Sequence, residues 1–469
     1  DRYSTSLSAG GYLFRLPNVF SAANFNPQIG GSGQGYSRAK NVAVFGSAEL
    51  GYKGMLYLSV TGRNDWSSQL VNSAEPSFFY PSVGLSGVIS QMVKLPQFIN
   101  YLKVRGSYTE VGSPISKTGI TPGTITHNLT SSGLTTNKVY PYPEFKAERT
   151  ASWEAGLNTK LFDNTLSVDL TLYKSNTFNQ FFEQELSSSS IYSSFYLQAG
   201  NVENRGVELS VNYNKEFFNK ELNWNSTLTY SRNVNEIKEL VRGYRNPFTG
   251  QLFDITEVRK GSTVLREGGS MSDITVRGVL SRNKNGELIE EAAQYQYDQT
   301  QEIKLGRSTP DFQMGWRNTL SFRNIDFSFL FNGSFGGIVL SGTQPYLDAY
   351  GVSKASAEAR DAGGVMVNGK LYDAQKYYNA IKRLPGYYSY DATNVRLQEV
   401  SLSYSLDGKH FCDKVKRVTL GVIGTNLWMI YNKAPFDPQL TFGVGTYAAT
   451  EFFMTPSAAT YGASLKIQF

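Results

Sequence analysis

Hydrophobic and polar residues alternate strictly in the segment VSLSYSL, residues 400–406, where apolar residues take every second position and serines lie between them. Successive side chains of an extended chain point to opposite sides, so the pattern predicts a β-strand with one apolar and one polar face. About thirteen segments of strand length show it, after a doubtful first one near residues 2–14. They cover approximately residues 42–50, 54–62, 79–90, 99–111, 148–161, 164–182, 199–214, 221–235, 311–322, 325–336, 393–406, 415–428 and 458–469.

The links between the predicted strands alternate between short and long. Short links include GYKG, FDN, KEFFNKE, RNI and DGKHFCDK. The long ones cover residues 14–41, 63–78, 112–147, 183–198, 236–310, 337–392 and 429–457. Tight periplasmic turns and long extracellular loops in alternation are typical of outer-membrane barrels, whereas a soluble sandwich has no reason to place every long loop at one end. The sequence therefore predicts an all-β, transmembrane antiparallel β-barrel whose long loops are extracellular.

Charges in the middle of the polar strand faces fit this interpretation. Lys103, Arg105, Asp169 and Glu208 occupy such positions, which a water-filled or plug-filled lumen accepts and a dry core excludes. A sandwich with one solvated face also tolerates charges, so this observation alone does not decide. The last predicted strand ends on the aromatic Phe469, as is typical of outer-membrane barrels.

Composition excludes several other classes of protein. Aromatic residues make up 14% of the chain, which argues against disorder, and no apolar run approaches the ~18 residues of a membrane-spanning helix. The net charge of +6 is spread without a basic block, so we expect no nucleic acid partner. The chain begins at Asp1 without an initiator methionine, and we expect it to be part of a longer protein.

Residues suited to catalysis or metal binding are scarce. The two histidines, His127 and His410, fall in a long loop and in a short turn, so they form neither a catalytic dyad nor a clustered metal site. The single cysteine, Cys412, has no intrachain partner for a disulfide. We therefore expect neither an enzyme nor a bound metal or cofactor.

Several motifs together resemble the SusC/RagA family of TonB-linked outer-membrane transporters of Bacteroidetes. These are LYLSVTGRNDWSSQL, LKVRGSYTEVGSP, NVENRGVELSVNY, NVRLQEVSLSYSL and GTNLWMIYNKAPFDPQL, and they follow the family order between about residues 41 and 469. The resemblance implies a 22-stranded barrel filled by a plug domain. Residues 1–469 would then supply about 14 C-terminal strands, with the plug domain absent from this chain. The remaining barrel strands, the plug and a TonB-contacting N-terminal part would belong to the rest of the protein.

The resemblance also implies a function and a set of partners. We expect TonB-dependent uptake of an oligomeric nutrient, either an oligosaccharide or a peptide, by the barrel subunit of a complex with a SusD-like surface lipoprotein. Membrane lipid and lipopolysaccharide would surround the barrel. The alternative is a self-contained passive pore or structural barrel without a plug, since bacterial barrels of fourteen strands are allowed.

Aromatic residues in the long loop 337–392 are the candidate substrate-binding residues. Tyr377, Tyr378, Tyr387, Tyr388 and Tyr390 lie close in sequence to Lys382 and Arg383, a composition suited to stacking on sugar rings or to hydrogen bonding a peptide. The alternative is an interfacial aromatic belt combined with loop packing. Within loop 236–310, the segment TVRGVLSRNKNGELIE predicts a hairpin with its turn at Asn285 and Gly286. We expect these two loops to form the seat for the lipoprotein.

Overall fold

The computed structural model describes most of the chain from residue 39 onward. Its gaps are residues 71–72, 74, 115–124, 129–132, 137–138, 141–145, 186–191, 246–249, 261–262, 409–413 and 442–448. Before residue 39 it describes residues 2–7, 11–14, 17–18, 25–27 and 32–37. Among the described residues, no helix is long and apolar enough to cross a membrane.

One large antiparallel sheet dominates the structure, and its strands are hydrogen-bonded to each other in chain order. They are β1 (Asn41–Tyr52), β2 (Leu56–Ser67), β3 (Ser77–Val88), β4 (Ile99–Ser113), β5 (Glu148–Leu161), β6 (Leu166–Glu185), β7 (Ser194–Phe217), β8 (Leu222–Glu239), β9 (Phe312–Phe322), β10 (Ile325–Phe335), β11 (Asn394–Asp407), β12 (Arg417–Asn432) and β13 (Thr460–Gln468). The short strand Val139–Tyr140 also pairs with β7, in parallel orientation. The thirteen clear strands predicted from the alternation are thus confirmed.

The doubtful first strand near residues 2–14 lies outside the large sheet. Arg2–Leu7 pairs with Ser32–Ser37, and Gly11–Phe14 pairs with Phe25–Pro27, each forming a separate two-stranded sheet. Several strands of the large sheet extend further toward the long-loop end than predicted, among them β2, β8 and β12. In the middle of the sheet, β6 continues to Glu185 and β7 already begins at Ser194. The added end of β6 is entirely polar, whereas that of β7 contains the three consecutive apolar residues Phe195, Tyr196 and Leu197. In neither strand does the alternation reach the end of the hydrogen-bonded ladder.

The register places apolar residues of neighbouring strands on one common face of the sheet. Phe329 of β10 lies opposite Asn318 of β9 and Val400 of β11, and its ring contacts the rings of Phe327 and Phe331 on the same face. Many large apolar side chains of this face remain exposed, including Trp153 at 63%, Leu172 at 51% and Val422 at 58%. An apolar face of this size without a protein partner is what a barrel presents to lipid.

Short and long connections alternate along the sheet, as the sequence predicts. Links of two to four residues join β1 to β2, β5 to β6, β7 to β8 and β9 to β10. Asp163 and Asn164 in one of these turns take positive φ values of 53° and 64°, which asparagine and aspartate tolerate better than other side chains do. A helix, α1 (Ile89–Met92), lies in the link between β3 and β4 at this same end.

The long connections meet at the opposite end and carry secondary structure of their own. The link between β8 and β9 contains strands Val241–Arg245, Leu252–Ile255, Glu257–Lys260, Thr263–Arg266, Asp273–Leu280, Glu290–Glu291, Gln294–Tyr295 and Tyr297–Arg307. The link between β10 and β11 contains strands Ile338–Ser341, Val365–Val367, Lys370–Tyr372 and Ser389–Asp391 and helices α2 (Gln344–Ala349), α3 (Lys354–Asp361) and α4 (Ala374–Ile381). Further short strands are Ile125–Asn128, Gly133–Thr136 and Thr450–Glu451. We call the folded parts of residues 240–311, 336–393 and 433–459 the cap.

Candidate functional site

Charged and polar side chains on the inner face of the sheet form ion pairs and hydrogen bonds across neighbouring strands. Arg105 of β4 reaches over β5 to β6, where its Nη2 lies 3.2 Å from Asp169 Oδ1 and donates to Thr171 Oγ1 at 2.5 Å. Asn158 of β5 donates to the other carboxylate oxygen of Asp169 at 2.7 Å. The alternation of β4 and β6 aims these residues away from lipid, as expected from the sequence. The inner wall is therefore polar and internally charge-paired.

A cavity of about 470 Å³ lies against this inner wall below the cap. Its lining includes Asp169, Glu208, Thr229, Gln313, Asn332, Asn394 and Gln439. Amide, hydroxyl and carboxylate groups dominate this set, and such groups can exchange hydrogen bonds with a hydrophilic molecule. The cavity can therefore hold the polar groups of a passing solute.

The cap has its own hydrophobic core, built from two long loops. Leu280, Leu288 and Tyr295 of the first loop pack with Tyr378 and Leu384 of the second, and each of these side chains is at most 9% exposed. Further core members are Ala359, Tyr372, Ala380, Ile381 and Tyr388. The predicted hairpin in the first loop exists in a shorter form, because Asn283 and Gly286 close a turn beside an isolated bridge between Arg282 and Leu288. The two loops thus form one folded unit.

Three arginines surround one carboxylate in the cap. Arg259 and Arg266 of one hairpin and Arg277 of the next strand all donate to Glu302, with an Arg266 Nη2–Glu302 Oε2 distance of 2.8 Å and an Arg277 Nη2–Glu302 Oε1 distance of 3.1 Å. These hydrogen bonds, that from Arg259 first, lower the pKa of Glu302 from its ordinary value of 4.5 to about 2, although desolvation acts in the opposite direction. The cluster ties the hairpin formed by residues 257–266 to the strand that carries Glu302.

A buried ion pair fastens the loop between β12 and β13 to the sheet. Arg396 of β11 donates to Asp437 through both Nη atoms, at 2.7 and 3.2 Å, and their side chains are only 4% and 8% exposed. Burial alone would raise the pKa of the Asp437 carboxyl, but hydrogen bonds from the Arg396 guanidinium and the Gln439 N–H lower it below its usual value. Arg396 also donates to Asn394 and Asn426. This loop therefore has a fixed position over the inner wall.

Metal-binding groups do not come together in the described part of the chain. No set of three or more histidine, cysteine, aspartate or glutamate side chains there could hold an ion. His410 and Cys412 lie outside the described residues, and His127 is described only through the backbone of strand Ile125–Asn128.

The family model "TonB dependent receptor-like, beta-barrel" matches residues 2–427. The chain belongs to this family. Its members are TonB-dependent receptors of the outer membrane, and the predicted outer-membrane barrel fold is confirmed. The predicted resemblance to SusC/RagA proteins is confirmed at the level of the family and the fold.

Two curated relatives of this receptor barrel come from Formosa agariphila. TonB-dependent receptor P3 is 25% identical over 466 residues, which cover 91% of this chain and 45% of the relative. TonB-dependent receptor P26 is 26% identical over 449 residues, covering 86% of this chain and 43% of the relative. The chain therefore spans about half the length of the curated relatives that it matches.

Solved structures show the same fold. The structure of the RagAB peptide transporter aligns with a TM-score of 0.74 at 18% identity, covering 97% of this chain and 50% of that chain. The structure of the RagAB peptide importer in the open-open state aligns with a TM-score of 0.72 at 17% identity, covering 96% and 49%. Because the identities are only 17% and 18%, this similarity shows a shared fold and no more.

The five candidate tyrosines of this receptor barrel lie together in the cap but differ in exposure. Tyr378 and Tyr388 are core residues, at 9% and 2% exposure. Tyr377 and Tyr390 pack against that core and are partly buried. Tyr387 is 39% exposed, and its hydroxyl group accepts a hydrogen bond from the Leu280 backbone N–H at 3.4 Å.

A second aromatic group in the cap was missed in the sequence. Tyr346 and Tyr350 flank Lys382, whose Nζ lies 4.4 and 5.0 Å from the two ring centroids. Phe452 and Phe453 contact the Tyr346 ring from the loop between β12 and β13. Four aromatic rings from two separate loops thus form one group, in which the two tyrosine rings contact the half-buried Lys382. The four-residue spacing of Tyr346 and Tyr350 was the available signal, since residues i and i+4 share one face of a helix.

Proposed function

We propose that this chain forms the wall and extracellular cap of a TonB-dependent importer for a hydrophilic oligomer, either a peptide or an oligosaccharide. The observation that carries the proposal is a lipid-type apolar face on one side of the sheet and a polar, charge-paired wall on the other. The cap lies at the end of the sheet where the long loops meet, as expected if this end faces the cell exterior. A polar passage beneath a folded cap suits a hydrophilic solute.

The rest of the barrel and the plug would come from other parts of a longer protein. This proposal is supported by relatives of about twice the length. It is also supported by β1, in which apolar side chains on both faces are exposed, with Val44 at 64% on the outer face and Phe45 at 71% on the inner face. An exposed inner-face phenylalanine would suit contact with a plug. TonB would act through the N-terminal part of that longer protein.

A SusD-like surface lipoprotein is the partner that we propose for the cap. The family resemblance and the RagAB structures support a two-protein assembly of this kind. Deleting residues 275–290 would be a poor test of docking, because it removes Leu280 and Leu288 from the cap core. Variants of exposed cap residues such as Val352 and Met366, at 70% and 64% exposure, test docking without dismantling the core.

Among the five candidate tyrosines, we propose Tyr387 as the one that contacts substrate directly, because its side chain is the most exposed. Tyr378 and Tyr388 would then support the site from the cap core, and Tyr377 and Tyr390 would form its partly buried flank. Tyrosine rings can stack on sugars and can hydrogen-bond to peptides, so the residue is compatible with an oligosaccharide and with a peptide as substrate.

Uptake by whole cells tests the proposal. Cells that carry the full-length protein should accumulate fluorescent oligopeptides or oligosaccharides, and deletion of TonB should abolish accumulation. Tyr387→Ala should reduce uptake, whereas Tyr404→Ala, a similarly exposed tyrosine on the apolar outer face, should not. Uptake that persists without TonB, together with an open conductance in planar bilayers, would support the passive pore instead.

A further inference from the structure

Three basic side chains form a diagonal row across neighbouring strands of the sheet. Lys174 of β6 lies directly opposite Arg205 of β7. Arg205 lies opposite Val234 of β8, two residues from Arg232, so the two arginines are diagonal neighbours. Diagonal positions of this kind are about 7–8 Å apart, within reach of long side chains. Lys174, Arg205 and Arg232 therefore form one local patch, which we call the basic row.

The basic row faces lipid and not the lumen. Lys174 shares its face with Leu172, and Arg205 shares its face with Val207, because residues two apart on a strand point the same way. Leu172 is 51% exposed, as expected on the outer face. Lys174 is 56% exposed, and both arginines are exposed as well.

Along the strands, the basic row lies close to the long-loop border of the apolar band. The strand between Leu166, next to the short turn, and Lys174 is about 26 Å long. At a strand tilt of about 40° this length corresponds to ~20 Å along the membrane normal, and the apolar band of such a barrel is about 25 Å tall. Trp153 of β5 lies directly opposite Lys174 and is 63% exposed, as expected of an interfacial aromatic belt. The row thus lies about 5 Å inside the long-loop border of the apolar band, from where long lysine and arginine side chains extend to the lipid headgroups.

Neither arginine forms an ion pair with another described residue, although Glu203 attracts Arg205 at longer range. Lys174 forms an ion pair of 2.8 Å with Glu203, but no described carboxylate lies within 4.0 Å of the guanidinium of Arg205 or Arg232. An outward guanidinium beside hydrocarbon is costly unless an anion or water satisfies it. Arginine binds phosphate through two parallel hydrogen bonds, and an adjacent lysine adds a third positive charge.

We propose that the basic row binds the phosphate group of an outer-leaflet lipid. The aromatic and aliphatic side chains below the row would contact the acyl chains of the same lipid, while Lys174, Arg205 and Arg232 hold its headgroup. This assignment is independent of the transported substrate, because the row lies on the opposite face of the sheet from the polar wall.

Lipid binding by the full-length protein tests the proposal. Native mass spectrometry in detergent would compare phosphorylated lipid A, dephosphorylated lipid A and inorganic phosphate as probes. One basic residue near an anionic membrane surface changes affinity by about five-fold, so Arg205→Gln with Arg232→Gln should weaken binding of phosphorylated lipid A about 25-fold. Arg323→Gln, at the short-turn end of the sheet, is the matched control and should leave binding unchanged.

Two sets of results would overturn the proposal. Equal binding of phosphorylated and dephosphorylated lipid A would exclude phosphate recognition, and so would unchanged binding in the double variant. Competition by inorganic phosphate at similar concentration would assign the row to free anions and not to lipid. Heat-modifiable migration in gels shows that each variant remains a folded barrel, so lost binding cannot be attributed to misfolding.

Discussion

Replacing Asp437 with asparagine should release the loop between β12 and β13 from the sheet. The substitution keeps the shape of the side chain and one acceptor oxygen but removes the negative charge that faces Arg396. Arg396 is only 4% exposed and cannot turn to water without moving the loop. Its Nε already lacks a hydrogen-bond partner within the described residues, so the remaining neighbours do not compensate the lost charge.

The size of the effect follows from the geometry. Removing one partner of a buried ion pair costs about 3–5 kcal/mol, and the retained acceptor of asparagine reduces this to about 2–4 kcal/mol. The loop should therefore open about 30- to 1,000-fold more often. The loss should be local, because Asp437 contacts the rim of the sheet and not the ladder between the strands.

Hydrogen exchange at the Lys433 backbone N–H measures this opening. That group donates to the Thr393 carbonyl at 3.2 Å and should exchange faster as the loop opens. Asp391→Asn is the matched control: it breaks the exposed ion pair between Lys433 of this loop and Asp391 of the link between β10 and β11, and it should cost at most about 1 kcal/mol. Similar exchange rates in the two variants would refute the reasoning. Replacing Arg396 and Asp437 together with leucine should restore protection, since an apolar pair leaves no buried charge.

Three further predictions concern the sheet and the cap. Phe329→Arg should destabilise the barrel by about 2–4 kcal/mol in a refolding titration, whereas Ser403→Arg, on the inner face, should cost much less; equal losses would contradict the assignment of the faces. The contribution of Glu302 to cap stability should be present above pH 4.5 and lost as the pH falls toward 2, because the pKa of Glu302 is lower in the folded protein. Pepsin should therefore leave residues 257–302 intact at about pH 4 and cleave them near pH 2. Cleavage at both pH values would refute a stabilising role for the three arginines around Glu302. Gly206→Ala should destabilise the protein by about 1–3 kcal/mol in a urea titration, because the new Cβ would clash with the Arg232 backbone oxygen. Gly46→Ala, where nothing lies within 4 Å of the new Cβ, should be neutral.

The strands and their two faces could be predicted from the sequence because the information is local. A residue such as Val400 points to lipid since every second neighbour is apolar, and this period of two requires no knowledge of distant residues. The alternation of link lengths is equally visible along the chain. The pattern fades at the long-loop end, where β6 continues with three polar residues, because a strand in water needs no apolar face. At the same end Phe195 and Tyr196 of β7 pack in hydrophobic clusters with residues of distant segments.

The cap could be predicted only in part. The Ser353 side chain accepts a hydrogen bond from the Ser356 backbone N–H, and the Asp373 side chain accepts one from the Lys376 backbone N–H. These capping residues are local signals for α3 and α4 that are independent of the alternation. No such local signal indicates which of the five candidate tyrosines are buried. Whether a ring lies in the core, as that of Tyr388 does, depends on Leu280 and other residues about a hundred positions away.

Charge pairing shows most clearly what only the tertiary structure decided. Arg396 and Asp437 are separated by 41 residues, and Arg259 and Glu302 by 43. Their sequence neighbourhoods contain other possible partners, so spacing alone does not select the pairs. The choice arises when folded loops exclude water around particular side chains, because a buried charge must find the one opposite charge that the packing places within hydrogen-bonding distance.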